Sequence, residues 1–449
     1  MSDPHKTEAL QATAFAGIAV ILIVGALLSG AARRLRQPAV IGEITAGIVL
    51  GPSLLGLLPG DLTHVLFPSG VRPLLSMVAQ VGLLLFMFTV GWELEWTALG
   101  KGKKTVGAVT SGSIALPMLL GFGAAALLYD NHSVVGGKEV SFRSFALYLA
   151  VSMSITAFPV LARILTENRL ASTKVGTIAL TSAALGDVLA WCMLAGVVAI
   201  VTAAGPTGFT DTLWQSAAYG AVMFGFVRPA LAKAVDLAAA RRSLLPHLVT
   251  LTTAGLLLSA FCTSKIGIHP IFGAFAFGLA MPRGPKELLE EQVLKPLHST
   301  SRLLLPVYFI VTGLAVDIAG MTATGWAELA LILAVAMVGK LLGASLPARF
   351  TGLTWRESAG VGVLMNTRGL TELVILNVGL SMGVLDGSLF TEMVLMALIT
   401  TALTGPLLPR LLPRPALDLV EPPKDAPGVT RIRPAAAPGF ADGGEELAG

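Results

Sequence analysis

Charge is what this 449-residue chain has least of. Asp, Glu, Lys and Arg make up 13% of it and hydrophobic residues 54%, with a mean hydropathy of +0.78, whereas soluble domains carry roughly 25% charged residues. That shortage excludes an ordinary soluble protein and implies a polytopic membrane protein. Cysteine is scarce as well. Cys192 and Cys262 both sit in apolar segments, so there is no disulfide framework and no metal-ligand spacing of cysteines. Positive charge is also missing ahead of the first apolar run: residues 1–10 carry only Lys6, and the cluster Arg33-Arg34-Leu35-Arg36 follows the run. This order is wrong for a cleaved signal peptide, so the first span is expected to remain.

What is present is a series of apolar runs separated by short charged or Pro/Gly-rich joints. They lie at residues 11–31, 38–56, 73–92, 105–128, 144–165, 175–201, 213–235, 246–262, 267–281, 303–319, 326–348, 357–380 and 389–412. Thirteen spans can be counted; 38–56 and 267–281 are short against the roughly 20 residues a span needs, which leaves twelve as the alternative. Charge placement tests the count, because cytoplasmic loops should carry the Lys and Arg. With the N-terminus outside and the C-terminus cytoplasmic, 24 of the 31 basic residues fall in inner loops or at inner span ends and 5 on the outer side, leaving Lys340 and Arg368 deep within spans. The asymmetry accounts for the pI of about 9.1 without any nucleic-acid partner. The expected organisation is an extracytoplasmic segment at 1–10, one membrane domain at 11–412, and a Pro-, Ala-, Gly- and Glu-rich disordered cytoplasmic tail at 413–449. No soluble regulatory domain is expected within this sequence.

Within 175–201 the only charged residue is Asp187, in Thr181-Ser-Ala-Ala-Leu-Gly-Asp-Val-Leu-Ala-Trp191. At roughly 1.5 Å per residue this places a carboxyl near mid-bilayer, where it costs roughly 2.5–3.5 kcal/mol and by default marks an ion or proton pathway. The plainer reading is a carboxyl kept protonated or paired by a neighbouring helix. Other in-span charges are Glu43, Glu93, Lys340, Arg368 and Glu372, with Asp317, Glu328 and Glu392 near span ends. Lys340, flanked by glycines that permit close helix approach, is the natural partner of a buried carboxylate, as a structural ion pair or as part of coupling. Two spans are interrupted: Ser154-Ile-Thr-Ala-Phe-Pro159 carries a proline, and Leu364-Met-Asn-Thr-Arg-Gly-Leu370 carries Asn366, Thr367, Arg368 and Gly369. A lone proline kink is usually structural, but paired interruptions fit the broken helices that secondary transporters set against each other at the membrane midplane. His269, at a span end, reads as a satisfied interfacial histidine.

Two further stretches, Gln37-Pro-Ala-Val-Ile-Gly-Glu-Ile-Thr-Ala-Gly-Ile-Val-Leu-Gly-Pro-Ser53 and Phe272-Gly-Ala-Phe275, complete a set with Ile155-Thr-Ala-Phe-Pro-Val-Leu-Ala-Arg-Ile-Leu165 and Leu364-Met-Asn-Thr-Arg-Gly-Leu-Thr-Glu-Leu-Val374. Together they resemble the monovalent cation:proton antiporter family, in particular the plant cation/proton exchangers and their bacterial relatives. The resemblance implies an all-α membrane fold of thirteen spans, built from inverted repeats with two crossed broken helices. It also implies a dimerisation part, a core part that moves like an elevator, a homodimer, and transported Na+ or K+ and H+ with no cofactor. Members of that family carry two adjacent residues in the ion-binding helix: Asp-Asp in electrogenic antiporters, Asn-Asp in plant exchangers, Gln-Asp in glutathione-gated potassium efflux systems. Here the pair is Gly186-Asp187. Asp187 therefore matches the cation- and proton-binding aspartate, Thr156 a position near the ion, and Lys340 the lysine that pairs with the first aspartate of electrogenic members.

With one carboxylate, the simplest cycle is competition of one cation and one proton at Asp187, which is electroneutral. Lys340 then either pairs with Asp187 or is deprotonated by desolvation. Two other classes stand beside antiport. A non-transporting sensor or scaffold of the same fold rests on Gly186. An intramembrane aspartyl protease, prompted by Leu185-Gly186-Asp187, needs a second membrane-embedded aspartate, which the sequence does not supply.

Overall fold

The computed structural model describes residues 4–412 except 36, 61, 94–102, 169, 172 and 203–205; at 4–7, 93, 167, 202, 206–210, 212, 213 and 242 it describes the backbone only. The tail expected at 413–449 lies outside the described residues, as does the side chain of Glu93. The first half of the chain comprises α1 (Pro4–Arg34), α2 (Ala39–Leu50), α3 (Leu62–Leu66), α4 (Arg72–Glu93), α5 (Lys103–His132), α6 (Phe142–Ser154), α7 (Phe158–Glu167) and α8 (Lys174–Thr202). After α9 (Pro206–Val222) and α10 (Arg228–Ala240) come α11 (Leu245–Ile266), α12 (Pro270–Ala280), α13 (Lys286–Leu289), α14 (Lys295–Leu314), α15 (Ala323–Phe350), α16 (Trp355–Met365), α17 (Leu370–Ser381) and α18 (Gly387–Leu411). The only strands among the described residues form a hairpin of Val134–Val135 with Lys138–Glu139.

All thirteen apolar runs are helical. Nine helices among the described residues are long and apolar enough to cross a membrane, or ten if the bent pair α16–α17 is one span. The runs at 213–235, 267–281 and 303–319 fall short for identifiable reasons. A π-type turn at Met223–Val227 interrupts α9 after 17 residues, α12 has only 11, and His298 and Arg302 dilute α14. The helix α1 begins at Pro4, and its stretch long and apolar enough to cross a membrane is Glu8–Arg34.

Helix ends are specified locally. Ser141 caps α6 through the Ser144 N–H, Thr354 and Glu357 form a reciprocal capping box on α16, and Gly267, at φ +90°, stops α11 in the left-handed conformation that favours glycine.

Order and packing repeat. The sequence long, short, long, long, broken, long occurs as α1, α2, α4, α5, α6–α7, α8 and again as α11, α12, α14, α15, α16–α17, α18. Equivalent contacts recur: α1 on α2 as α11 on α12, α2 on α14 as α12 on α4, and α5 on α6 as α15 on α16. The segment α9–α10 separates the two halves.

The two halves meet at α5 and α15, which cross backbone to backbone. A Cβ on Gly343 would lie 2.5 Å from the Gly112 carbonyl oxygen, and one on Gly112 would lie 2.3 Å from that of Gly343. Glycine is therefore obligatory on both helices there. Gly343→Val should destabilise the protein by about 1–3 kcal/mol through overpacking, read as a lowered unfolding temperature in detergent. Gly186→Ala, whose Cβ meets nothing within 4 Å inside α8, should raise stability by about 0.5–1 kcal/mol.

Candidate functional site

Both interruptions are real breaks, and they cross. The first separates α6 from α7 at residues 155–157, and Pro159 does not sit in the gap but in the first turn of α7, where its missing N–H removes no helical bond. The second leaves Asn366, Thr367, Arg368 and Gly369 between α16 and α17. Each break supplies the other's partners: the Ala157 N–H donates to the Thr367 carbonyl at 3.0 Å, and the Thr156 hydroxyl to the Met365 carbonyl at 2.9 Å. Thr367 donates its own hydroxyl to Leu364 at 2.8 Å. The Thr401 hydroxyl on α18 accepts from the Arg368 N–H and donates to the Arg368 carbonyl, both at 2.8 Å. Gly369 has extended backbone, and a Cβ there would lie 2.5 Å from Val160 on α7, so close approach is what requires glycine. Asn366 is buried as the cap residue of α16, with Oδ1 lacking a protein partner.

Asp187, 6% exposed on α8, faces the starts of both second half-helices. The Phe158 N–H, at the first residue of α7, bonds to its carboxyl, and the Thr371 hydroxyl, at the second residue of α17, lies 3.5 Å from Oδ1. Two helix N-termini thus present their positive ends to one carboxylate, an arrangement suited to holding negative charge at membrane depth.

The cationic side chains gather at the opposite pole, the C-terminal turn of α6. Lys340 donates to the carbonyls of Ser113 (3.0 Å) and Ser154 and to Thr156 Oγ1 (2.7 Å). Because the Thr156 proton is committed to Met365, all three partners are acceptors, a set that suits the three N–H bonds of an ammonium. No ion pair joins Lys340 to Asp187 among the described residues; of the two roles the sequence left open, pairing with Asp187 is absent there, and Lys340 bonds to the Ser113 carbonyl within α5 and the Ser154 carbonyl at the end of α6. Arg368 donates to Ser152 (3.2 Å), Met153 (2.8 Å) and Glu372, with both ionic side chains fully buried. Thr156 is therefore engaged with Lys340, while Gly186 leaves open space beside Asp187. Sequence reasoning missed Thr371 and Thr401, whose only signal is a hydroxyl in an apolar helix, and the main-chain carbonyls of Ser113 and Ser154, which give none.

Two cavities approach this crossing. One, of ≈ 380 Å³, is lined by Arg33, Glu43, Arg163 and Arg302 and reaches Pro159, Val160 and Leu370 at the starts of α7 and α17. The other, of ≈ 230 Å³, lies along the far parts of α14 and α17 beside His269, Tyr308, Asn377 and Ser381. Glu43 thus lines the first cavity, and His269 caps α12 while facing the second.

Residues 18–414 match the family described as sodium/hydrogen exchanger, transmembrane. The chain is 39% identical over 402 residues to the Na(+)/H(+) antiporter NhaS4 of Synechocystis, covering 89% of this chain and 97% of that protein. It is 38% identical to Cation/H(+) antiporter 20 of Arabidopsis thaliana, covering 86% of this chain and 47% of the relative. With K(+)/H(+) antiporter 1 of Saccharomyces cerevisiae it shares 33% identity, covering 86% and 45%. The chain therefore spans about half the length of the plant and yeast proteins. The sodium proton antiporter MjNhaP1 from Methanocaldococcus jannaschii has the same fold, with a TM-score of 0.59 at 14% identity over 89% of this chain and 96% of that one.

The Arg368–Glu372 pair gives a stability test. Glu372→Leu leaves a buried guanidinium with lost partners and should cost about 3–5 kcal/mol, whereas Arg368→Met combined with Glu372→Leu should recover part of that loss. Thermal unfolding of the purified variants in detergent checks both outcomes.

Proposed function

The chain belongs to the sodium/hydrogen exchanger family, and on that premise we propose that it is a secondary antiporter exchanging Na+ or K+ for protons. The observation that carries this reading is the position of Asp187 at the N-terminal ends of α7 and α17. A carboxylate so placed binds a proton or a desolvated monovalent cation in the same spot, and cannot hold both. One proton leaves as one cation enters, so exchange is electroneutral.

In this cycle Lys340 stays with the Ser113 and Ser154 carbonyls and Thr156 rather than neutralising Asp187, which leaves the Asp187 charge available to the transported ion. Thr156, Thr371 and the backbone of the two breaks surround the ion. Arg368 and Glu372 brace the crossing, and Pro159, Asn366, Thr367 and Gly369 keep it broken. The helices α5–α8 and α15–α18, which pack mainly among themselves, move as an elevator against α1, α2, α4, α11, α12 and α14. The second group supplies the homodimer contact, the N-terminus faces outward and the C-terminus the cytoplasm. The membrane domain extends over 11–412, and exchange uses no cofactor.

Gly186 favours one other reading, a sensor or scaffold that keeps the fold without exchange, since the residue before Asp187 offers no ligand. Everted vesicles carrying a pH dye separate the two. Addition of Na+, K+, Rb+ or Li+ should collapse an imposed proton gradient in the wild type and not in Asp187→Asn; no response to any of the four in folded, inserted protein would leave the sensor. Lys340→Gln should shift the pH dependence of exchange, and an unchanged profile would remove Lys340 from coupling.

A further inference from the structure

Away from Asp187, the end of α5 and the early turns of α15 and α18 bring together His132, Glu328 and Glu392, with one ligand atom from each within 4.8 Å of the others. The helical rise places Glu328 about 18 Å along α15 from Lys340, so this cluster is separate from the crossing. His132 is 3% exposed and Glu392 fully buried.

Each member is held from behind. Asp386 accepts a bond from His132 Nδ1 at 2.7 Å and is itself fixed by the Leu389 N–H at 2.8 Å. The Asn131 amide donates to Glu328 Oε1 at 2.7 Å, and the Ser388 hydroxyl to Glu392 Oε1 at 3.1 Å. What remains points inward: His132 Nε2, Glu328 Oε2 at 3.3 Å from it, and Glu392 Oε2, which is buried without any hydrogen-bond partner. A carboxylate accepts only, so the short Asp386 contact places a proton on Nδ1. Nε2 then meets the Glu328 carboxylate either through a second proton, as imidazolium, or through its lone pair with a metal ion between them, and Glu392 Oε2, which no protein donor reaches, favours the metal.

We propose that His132, Glu328 and Glu392 bind a divalent transition-metal ion of the Zn2+ class. The carboxylate–histidine–ligand order, with Asp386 behind the imidazole, is the outer-shell arrangement that orients metal-bound histidines. One nitrogen and two carboxylates, with water completing the set, suit Zn2+ better than Ca2+ or Mg2+, which take six or more oxygens. The 3.3 Å between Nε2 and Glu328 Oε2 equals the edge of a tetrahedron with bonds of about 2.0–2.1 Å. Occupation ties α5, α15 and α18 together at the ends opposite Lys103, Arg349 and Arg410.

Tag-free full-length protein in detergent, titrated calorimetrically with ZnCl2, should bind one ion per chain and unfold at higher temperature when loaded. Glu392→Gln and His132→Gln should each weaken binding at least about tenfold, and Asn131→Ala should weaken it measurably. X-ray absorption of the loaded wild type, which requires no variant, should show one imidazole among oxygen ligands. No saturable Zn2+ binding below about 1 mM, equal affinity in both ligand variants, a spectrum with sulfur or several imidazoles, or preference for Ca2+ or Mg2+ would each overturn the assignment.

Discussion

Two helices broken inside an apolar chain expose backbone N–H and C=O groups that lipid cannot satisfy, and the rest of this structure follows from where those groups find partners. The breaks meet partly these needs by crossing, through Ala157 to Thr367 and Thr156 to Met365. What the crossing leaves unpaired is segregated by sign. Carbonyls ending α6 take Lys340 and Arg368, and N–H groups starting α7 face Asp187. Charges that would be expensive singly are therefore each placed against the helix end of opposite polarity.

This segregation bears directly on stoichiometry. Had Lys340 neutralised Asp187, an arriving cation would have to break an ion pair; in the proposed cycle, with Lys340 bound to carbonyls, only a proton competes with the cation at Asp187. Gly186 is consistent with the same economy, because no side chain beside Asp187 adds a second charge. The halves pack backbone to backbone at Gly112 and Gly343, and cavities lie beside α7 and α17.

Much of this was legible from residues alone. Asn366-Thr367-Arg368-Gly369 interrupts an apolar run with polar and glycine residues, and the break lies there. Pro159 marked the other break but misplaced it by a few residues, because proline disfavours helix in the residues before it and is welcome in a first turn. The partners of Lys340 were not legible, since main-chain carbonyls leave no mark in sequence. Likewise, Glu328 and Glu392 stood out as charges at span ends, but His132, 196 positions from Glu328, joins them only through the packing of α5 on α15. Among the described residues nine or ten helices meet the length and composition of a membrane span, and the remaining runs carry a π-type turn, a short helix or polar residues.

The central claim is that a single carboxylate, Asp187, exchanges one proton for one cation. Purified protein titrated with Na+ and K+ in weakly buffered detergent tests it without membranes or gradients, by counting protons released against cations bound. The account predicts one proton per cation and neither signal in Asp187→Asn. Cation binding without proton release, or proton release that persists in Asp187→Asn, would contradict it.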